Sequence, residues 1–479
     1  MSLVHHMRYY TPEQLTFFRD RTFDLLEKRG VKMDHQPVME LLRDHGADVD
    51  TDAGIVRFPR AVMETLLTKV PEQFQLKARN PDFTLDFPHP KGLFHTRVNT
   101  GGQNWLDPDT GAFRRVTLKD LAYWARLADR LDHIDFIPYL VADDAPPATA
   151  DVHALAVMLE NAEKHIWIQP YTGESVEYLV KLLAAAAGGE DELRENPLAS
   201  WITCSLTPLV FKWMDMEIIF QAAGHGCALQ CCSLPGSGVT APFTPAGSVL
   251  VSAAENLVMI AAAQAVRPGT PVIATSLQFS GDMRTGRSLQ SSAESLRQSA
   301  LFVQVMREAF LLETHTYGAG CDSPDIDGQG MAERAMRAML MAASGASVLG
   351  GAGQFETACS VSPVALAVDD ELFKIAKAVM KEMRFDDEHL AWDELMAMDY
   401  GGEFLSSQHT FRHCREVDHP ISFTRDPRDT WAGQGARDLN ARVGERITAL
   451  MKEAGPTDLA RETKTEIADI VRLADKHLC

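Results

Sequence analysis

The densest group of residues that could bind or react lies between His315 and Glu356. It runs His315-Thr-Tyr317-Gly-Ala-Gly-Cys321-Asp322-Ser323-Pro324-Asp-Ile-Asp327-Gly-Gln329, passes through a helix-like stretch holding Glu333, and ends Gly350-Gly-Ala-Gly-Gln-Phe355-Glu356. Two glycine-punctuated loops follow two apolar runs, which is the pattern of a βαβ unit with an acidic first loop. The segment has no lysine, no metal-ligand pair and no nucleophile beside a base. That composition speaks against a hydrolase triad and suits a site that positions a molecule and excludes water.

Aromatic residues at loop positions extend this picture: Tyr317 and Phe355 within the segment, and Trp105 and Tyr171 outside it. A quaternary ammonium needs ring faces around it, each worth ~1 kcal/mol or more once desolvated. Core packing is the competing explanation for each of the four. His315 sits inside a strand-like run, as a satisfied buried histidine or as an inward-pointing site residue. Gly236 to Gly247 opens a long helix that contains Glu255. This loop could bind an anion, but a tight turn with Thr244 as cap and Pro245 in the first helical position is the preferred reading. His409, His413 and His419 are four and six residues apart, so only the first pair shares a helix face. Arg412, Arg415 and Arg425 flank them and point to a solvated or interface segment rather than a metal.

Helix-like and strand-like segments must place these residues. Helical periods fall at 117–130, 151–163, 174–187, 212–223, 246–265, 288–309, 328–344 and 369–383. Apolar runs at 134–140, 165–169, 200–205, 227–233, 271–277, 311–317 and 346–350 lie between them. Such alternation predicts a parallel sheet with crossover helices, and about eight units favour a closed (β/α)8 barrel of the TIM type. An N-terminal helical region with a small hairpin is expected over 1–116, the barrel over 117–385 and a helical extension over 386–479. No dinucleotide-binding GxGxxG follows an early strand. In a barrel of this kind, the strand C-termini carry the function.

The 479 residues have a net charge of -20, which argues against a nucleic-acid or anionic-lipid surface. None of the eight cysteines forms a CxxC pair, so they read as buried small groups in a reducing cytoplasm, with a thiolate metal site as the alternative. Met1 to Tyr10 lacks the apolar core of a signal peptide. No run is expected to approach the ~20 apolar residues of a membrane span.

Several ordered motifs then become specific. Ser205-Leu-Thr-Pro-Leu209, Pro235-Gly-Ser-Gly-Val-Thr-Ala-Pro242, Ala253-Ala-Glu-Asn-Leu257 and Arg267-Pro-Gly-Thr-Pro-Val272 resemble the trimethylamine methyltransferase family. So do Asp327-x-Gln329-x-x-x-Glu333, Gly350-Gly-Ala-Gly353 and Gly401-Gly-x-Phe-Leu405 followed by His409-Thr410. The resemblance spans roughly residues 15–475. It implies a (β/α)8 barrel that passes a methyl group from a methylated amine to the Co(I) corrinoid of a separate protein, with no corrinoid or metal bound in this chain.

The family's archaeal trimethylamine enzymes carry pyrrolysine in the loop before Asp-x-Gln. Here that loop holds only standard residues, and spacing places the equivalent position at or near Ser323 or Pro324. A quaternary amine leaves as a neutral amine and needs no electrophile, so the resemblance implies the branch that acts on substrates such as glycine betaine. No catalytic acid or base is then required. Asp322, Gln329 and Glu333 become supports, while Trp105, Tyr171, His315, Tyr317, Phe355, Glu356 and Arg97 are the candidate substrate contacts. Asp322 and Glu356 could face the cation; Arg97, Arg284 and Thr240 could face a carboxylate. Expected partners are the cognate corrinoid protein and further copies of the chain. A non-catalytic betaine-binding or sensory barrel, a different methylated donor such as trimethylamine, and a zinc-dependent methyltransferase remain open alternatives.

Overall fold

The structure, a computed structural model, describes residues 6–479; Met1–His5, on which half of the leader expectation falls, lie outside the described residues. Eight parallel strands close into a barrel: β1 (His95–Val98), β2 (Phe136–Pro138), β3 (His165–Ile168), β4 (Ala199–Cys204), β5 (Leu229–Ser233), β6 (Val272–Ser276), β7 (Thr314–Tyr317) and β8 (Val348–Ala352). They pair in chain order, and β8 returns to β1. The crossover helices are α1 (Leu118–Arg130), α2 (Ala150–Asn161), α3 (Val176–Ala187), α4 (Trp213–Gly224), α5 (Pro245–Val266), α6 (Ala293–Gln304), α7 (Gly328–Ser344) and α8 (Pro363–Val379). The fold is the expected (β/α)8 barrel with an N-terminal helical region and a C-terminal helical extension.

The barrel begins at His95, upstream of the expected boundary at 117. Strand β1 reads His-Thr-Arg-Val, and its inward positions are the polar His95 and Arg97. An apolar-run criterion passes over such a strand, which is why residues 75–115 looked like hairpin and turn alone. The real hairpin, Phe74–Leu76 against Leu85–Phe87, pushes Leu76, Leu85 and Phe87 into the barrel interior.

Period-two alternation divides the strands between two cores. Trp167, Ile202, Cys232, Ile273, Tyr317 and Val348 pack inside the barrel. Their neighbours Ile166, Trp201, Cys231, Val272 and Leu349 face the helices. Each large apolar side chain so buried stabilises the fold by about 1.5–3 kcal/mol.

Helix α1 starts where Thr117 accepts from the Asp120 amide and Asp120 accepts from the Thr117 amide. Near its other end, Lys164 donates to the carbonyls of Ala128, Leu131 and Ile134 at 3.0, 2.7 and 2.6 Å, which satisfies acceptors that a helix C-terminus leaves open.

Helix α5 corrects one expectation: its 22 residues are long and apolar enough to cross a membrane. Its most apolar window is 89% buried inside the protein, so here it is a core helix. Its polar residues fasten two barrel strands. Glu255 accepts from Ser205 Oγ (2.6 Å), Thr207 Oγ1 (2.8 Å) and the Leu209 amide (2.7 Å). Asn256 accepts from the Thr275 amide and donates to the Thr275 carbonyl. At the helix start Thr244 is the N-cap and Pro245 follows it, but the Thr244 side chain makes no capping bond.

The extension adds Leu439–Glu453 against α8 and Arg461–Leu478 against α2 and α3. Glu371 ties down the intervening chain through the amides of Ile421 and Ser422.

A buried histidine in the lower barrel gives a test. His165 lies 2.5 Å from the Lys77 carbonyl and 2.9 Å from Ser200 Oγ, and burial pulls its pKa down to about 4 from 6.5. The unfolded chain takes up a proton below pH 6.5 that the folded state refuses, so this stability is present above 6.5 and is lost as pH falls toward 4. The full effect is on the order of 3 kcal/mol. Thermal melts between pH 7 and 4 should show a Tm decline that is shallower in His165→Gln; an unchanged slope would contradict the assignment.

Candidate active site at the barrel mouth

The floor of the mouth is a cluster of inward residues from β1, β3, β7 and β8. Arg97 Nε donates to His315 Nε2 at 2.9 Å, and Arg97 Nη1 donates to the Val98 carbonyl at 2.7 Å. The guanidinium carbon stands 4.1 Å from the centre of the Trp167 ring and 5.9 Å from that of Tyr317. Because Nε2 of His315 accepts, the neutral ring carries its proton on Nδ1. Burial, reinforced by the Arg97 charge, holds His315 well below the ordinary histidine range. It is therefore neutral at neutral pH and offers a donor rather than a mobile proton. Burial pushes the Tyr317 hydroxyl up to about 12 and pulls Arg97 down to about 10, so both keep their protons. Gly350 makes the arrangement possible: a Cβ there would stand 2.4 Å from His315 Nε2 and 2.9 Å from the Arg97 guanidinium carbon.

Outside the barrel interior, Tyr139 and Tyr171 pack in the layer between strands and helices. The Tyr139 hydroxyl donates to the Gln169 carbonyl (2.6 Å), and its ring meets Tyr171 edge-on at 5.9 Å. Asp151 orders the loop after β3 by accepting from the Tyr171 amide and from Ser175 Oγ. A chain of side-chain amides then links four strand ends. Asn99 donates to Gln354 (2.5 Å), Gln354 donates to Gln290 (3.1 Å) and to the Ala319 carbonyl (3.2 Å), and Gln290 donates to the Cys321 carbonyl (2.9 Å). Asn99 follows β1, Gln290 precedes α6, Cys321 follows β7 and Gln354 follows β8, so one network sets the loops relative to each other.

The loop after β7 is closed by its own bonds. Asp322 accepts from the Gln290 and Ser291 amides (2.9 and 2.7 Å) and from Thr357 Oγ1 (3.0 Å), while its amide donates to Glu333 (2.7 Å). Gln329 donates to the other Glu333 oxygen at 2.7 Å, and Ser323 donates to Asp327, the cap of α7. Across the rim, Glu356, Thr357 and Ala358 all have left-handed backbones, with φ of 51°, 52° and 70°. Each costs about 1–3 kcal/mol. The amides of Glu356 and Thr357 donate to the carbonyls of Ser323 and Cys321, which holds the strained turn against the β7 loop. Beneath it, Arg334 pairs with Asp369 at 2.6 Å, and Asp369 also accepts from the Gly353 amide.

Among the residues expected from sequence, Arg97, His315 and Tyr317 converge on the floor, whereas Tyr171 packs beside Tyr139 against the core between barrel and helices. Trp105 does not join them. It packs edge-on to Tyr123 and Trp124 in the layer between barrel and helices. Phe355 lies on the rim with Phe113, and Glu356 accepts from Ser360. Asp322, Gln329 and Glu333 hold loops together, as supports would. Arg284 extends into solvent beside Asp282, and Thr240 accepts from the Gly236 amide within its own turn; neither enters the barrel interior.

The His409 and His413 rings lie 4.5 Å apart, tilted by 40°, on the short helix Gln408–His413, while the His419 carbonyl accepts from Lys374. Cys227, Cys231 and Cys232 are buried. Among the described residues, no group of three His, Cys, Asp or Glu side chains is arranged to hold a metal ion. Sequence reasoning missed Trp167, Gln290, Gln354, Asn99 and Gly350 as parts of one site. Gly350 and Gln354 had a signal, in the glycine-rich segment that ends at Glu356, and Trp167 had one in its place two residues after His165 on the same strand.

The trimethylamine methyltransferase family model matches residues 2–477. A trimethylamine methyltransferase of Desulfitobacterium hafniense is 29% identical over 464 residues, covering 96% of this chain and 93% of that protein. The trimethylamine methyltransferase of Methanosarcina barkeri is 26% identical and covers 98% and 95%. A glycine betaine methyltransferase of Desulfitobacterium hafniense is 29% identical over 429 residues and covers 88% of each. The crystal structure of the Methanosarcina barkeri monomethylamine methyltransferase superposes with a TM-score of 0.52 at 13% identity, covering 98% of this chain and 92% of that one; it shares the fold.

The floor cluster makes a sharp packing prediction. Gly350→Ala drives a methyl group into the His315–Arg97 pair and should lower stability by about 1–3 kcal/mol, read as a drop in the denaturant midpoint. A midpoint equal to wild type would show that the pair can move aside.

Proposed function

Since the chain belongs to the trimethylamine methyltransferase family, we propose that it transfers a methyl group from a quaternary amine of the glycine betaine type to the Co(I) corrinoid of a separate protein. The loop from Cys321 to Ile326 carries this reading. Where the resemblance places an electrophilic residue, Ser323 is buried and bonded to Asp327, and Asp322 is occupied by two amides and a hydroxyl. Such a loop offers nothing to capture the lone pair of a tertiary amine. A quaternary nitrogen has no lone pair to capture. In the displacement, the cobalt–carbon bond forms with the metal's electron pair as the carbon–nitrogen bond breaks, and that bond's electrons leave on nitrogen as a neutral tertiary amine. No proton moves, which suits a mouth whose tyrosine and histidine hold fixed protonation states.

The protein's contribution is then position and dryness. Tyr317 supplies a ring face for the cation, and the amide network fixes the loops through which the acceptor must approach. The chain is read as a cytoplasmic protein, where a reduced corrinoid and eight unpaired cysteines are compatible. Exposed Phe385, Met396, Tyr400, Leu405 and Phe411 in the extension support self-association.

Incubating the chain with glycine betaine and either the corrinoid protein or cob(I)alamin should produce the methylcobalamin absorbance and a demethylated amine. Trimethylamine should react at least about 100-fold more slowly, the scale expected when a needed group is missing from a site. Equal rates would overturn the loop argument, and betaine binding without any product would favour a binding-only barrel. Tyr317→Ala should raise KM for the amine about 5- to 10-fold, as loss of ~1 kcal/mol of cation–ring attraction requires. If both kinetic constants stay at wild-type values, this ring does not hold the cation.

A further inference from the structure

The interior of the barrel holds a positive charge that the protein does not neutralise. Arg97 is fully buried, and the groups acting on its charge are the neutral Tyr317 and Cys232, with no carboxylate among them. A buried guanidinium without an anion is strongly unfavourable, and structural arginines are normally paired. This chain follows that rule at Arg334, which is buried and has Asp369 at 2.6 Å. Arg97 departs from it at the centre of the candidate site.

Its missing partner is not the only one. Arg97 Nη2, His315 Nδ1 and Trp167 Nε1 are all buried and have no hydrogen-bond acceptor. The three belong to one cluster, because Arg97 bonds His315 at 2.9 Å, lies 4.1 Å from the Trp167 ring centre, and the Trp167 and His315 rings are 6.0 Å apart. Three orphaned donors, one of them cationic, lack the same thing: an anionic acceptor with more than one lone pair. A carboxylate is the small group that accepts several donors at once and matches a guanidinium edge.

We infer that Arg97, His315 and Trp167 form the carboxylate-binding end of the substrate site, which makes the substrate a zwitterion carrying its quaternary nitrogen and its carboxylate on one short chain. This rests on the site assignment above and extends it to specificity. The carboxylate seats on the floor, so the cationic end faces the mouth beside Tyr317, where a methyl acceptor can reach it. Choline, with the same cationic head and an uncharged hydroxyl, leaves Arg97 uncompensated.

Calorimetry on the full chain separates the cases. Wild type should bind glycine betaine at least about 100-fold more tightly than choline or tetramethylammonium, since an ionised partner is lost from a buried charge. Acetate should compete with betaine. Arg97→Gln should remove that advantage, bringing the affinities for glycine betaine and tetramethylammonium to within about 10-fold of each other. Trp167→Phe keeps the ring and removes the N–H; it should weaken betaine about 5- to 10-fold, the effect of one lost neutral donor, and it tests the cluster even if the arginine variant fails to fold. Equal affinity of wild type for betaine and choline would overturn the inference. So would full betaine affinity in Arg97→Gln or in Trp167→Phe. Demethylation of choline and betaine at equal rates would sink the inference and spare the methyltransferase reading. Arg97-dependent betaine binding with no methyl transfer would do the reverse.

Discussion

Closure of the barrel is the constraint from which the rest follows. Once β8 pairs with β1, every second residue of eight strands must share one interior. Apolar side chains fill its lower part, where Phe136, Ile273 and Val348 meet the plugging Phe87. Toward the strand C-termini the filling changes to Arg97, His315, Trp167 and Tyr317, and the same close packing now holds groups with donors to spare. Gly350 shows how tight this is, since its missing side chain is the space that the Arg97–His315 pair occupies.

Stability and function divide accordingly. The helix layer is built to hold: Glu255 and Asn256 on α5 fasten β4 and β6, Lys164 closes the end of α1, and Asp369 neutralises Arg334. The mouth carries the costs, with an unpaired guanidinium on the floor and three consecutive left-handed residues at the rim. Marginally stable proteins tolerate such features where function needs them and the surroundings hold them in place. Here the surroundings are the Asp322 clasp and the amide chain from Asn99 to Gln290.

The barrel was legible in the sequence because seven of its strands are apolar runs between helical periods. The first strand was not, because its inward residues are histidine and arginine, and polarity hides a strand from a hydrophobic pattern. Arg97, His315 and Tyr317 could be picked out as chemistry at strand ends. Trp105 looked equivalent to them, but the rung and face of a side chain depend on register, and its strand lies outside the barrel. The amide network was out of reach, because Asn99, Gln290 and Gln354 are ordinary residues nearly 200 or more positions apart at its ends and become a unit only when four loops converge. Several motifs behind the family resemblance turn out to be architecture: Ser205, Thr207 and Glu255 are one hydrogen-bonded knot.

The central claim is that a zwitterionic amine lies along the barrel axis with its acid end on Arg97 and its methyl groups toward the mouth. A crystal structure of the chain soaked with glycine betaine tests this most directly. The account predicts carboxylate oxygens within hydrogen-bonding distance of Arg97 Nη2 and of His315 Nδ1 or Trp167 Nε1, with the trimethylammonium group against the face of Tyr317. A ligand bound in the reverse orientation, or seated on the outer rim at Arg284 and Thr240 with the Arg97 cluster unchanged, would contradict it.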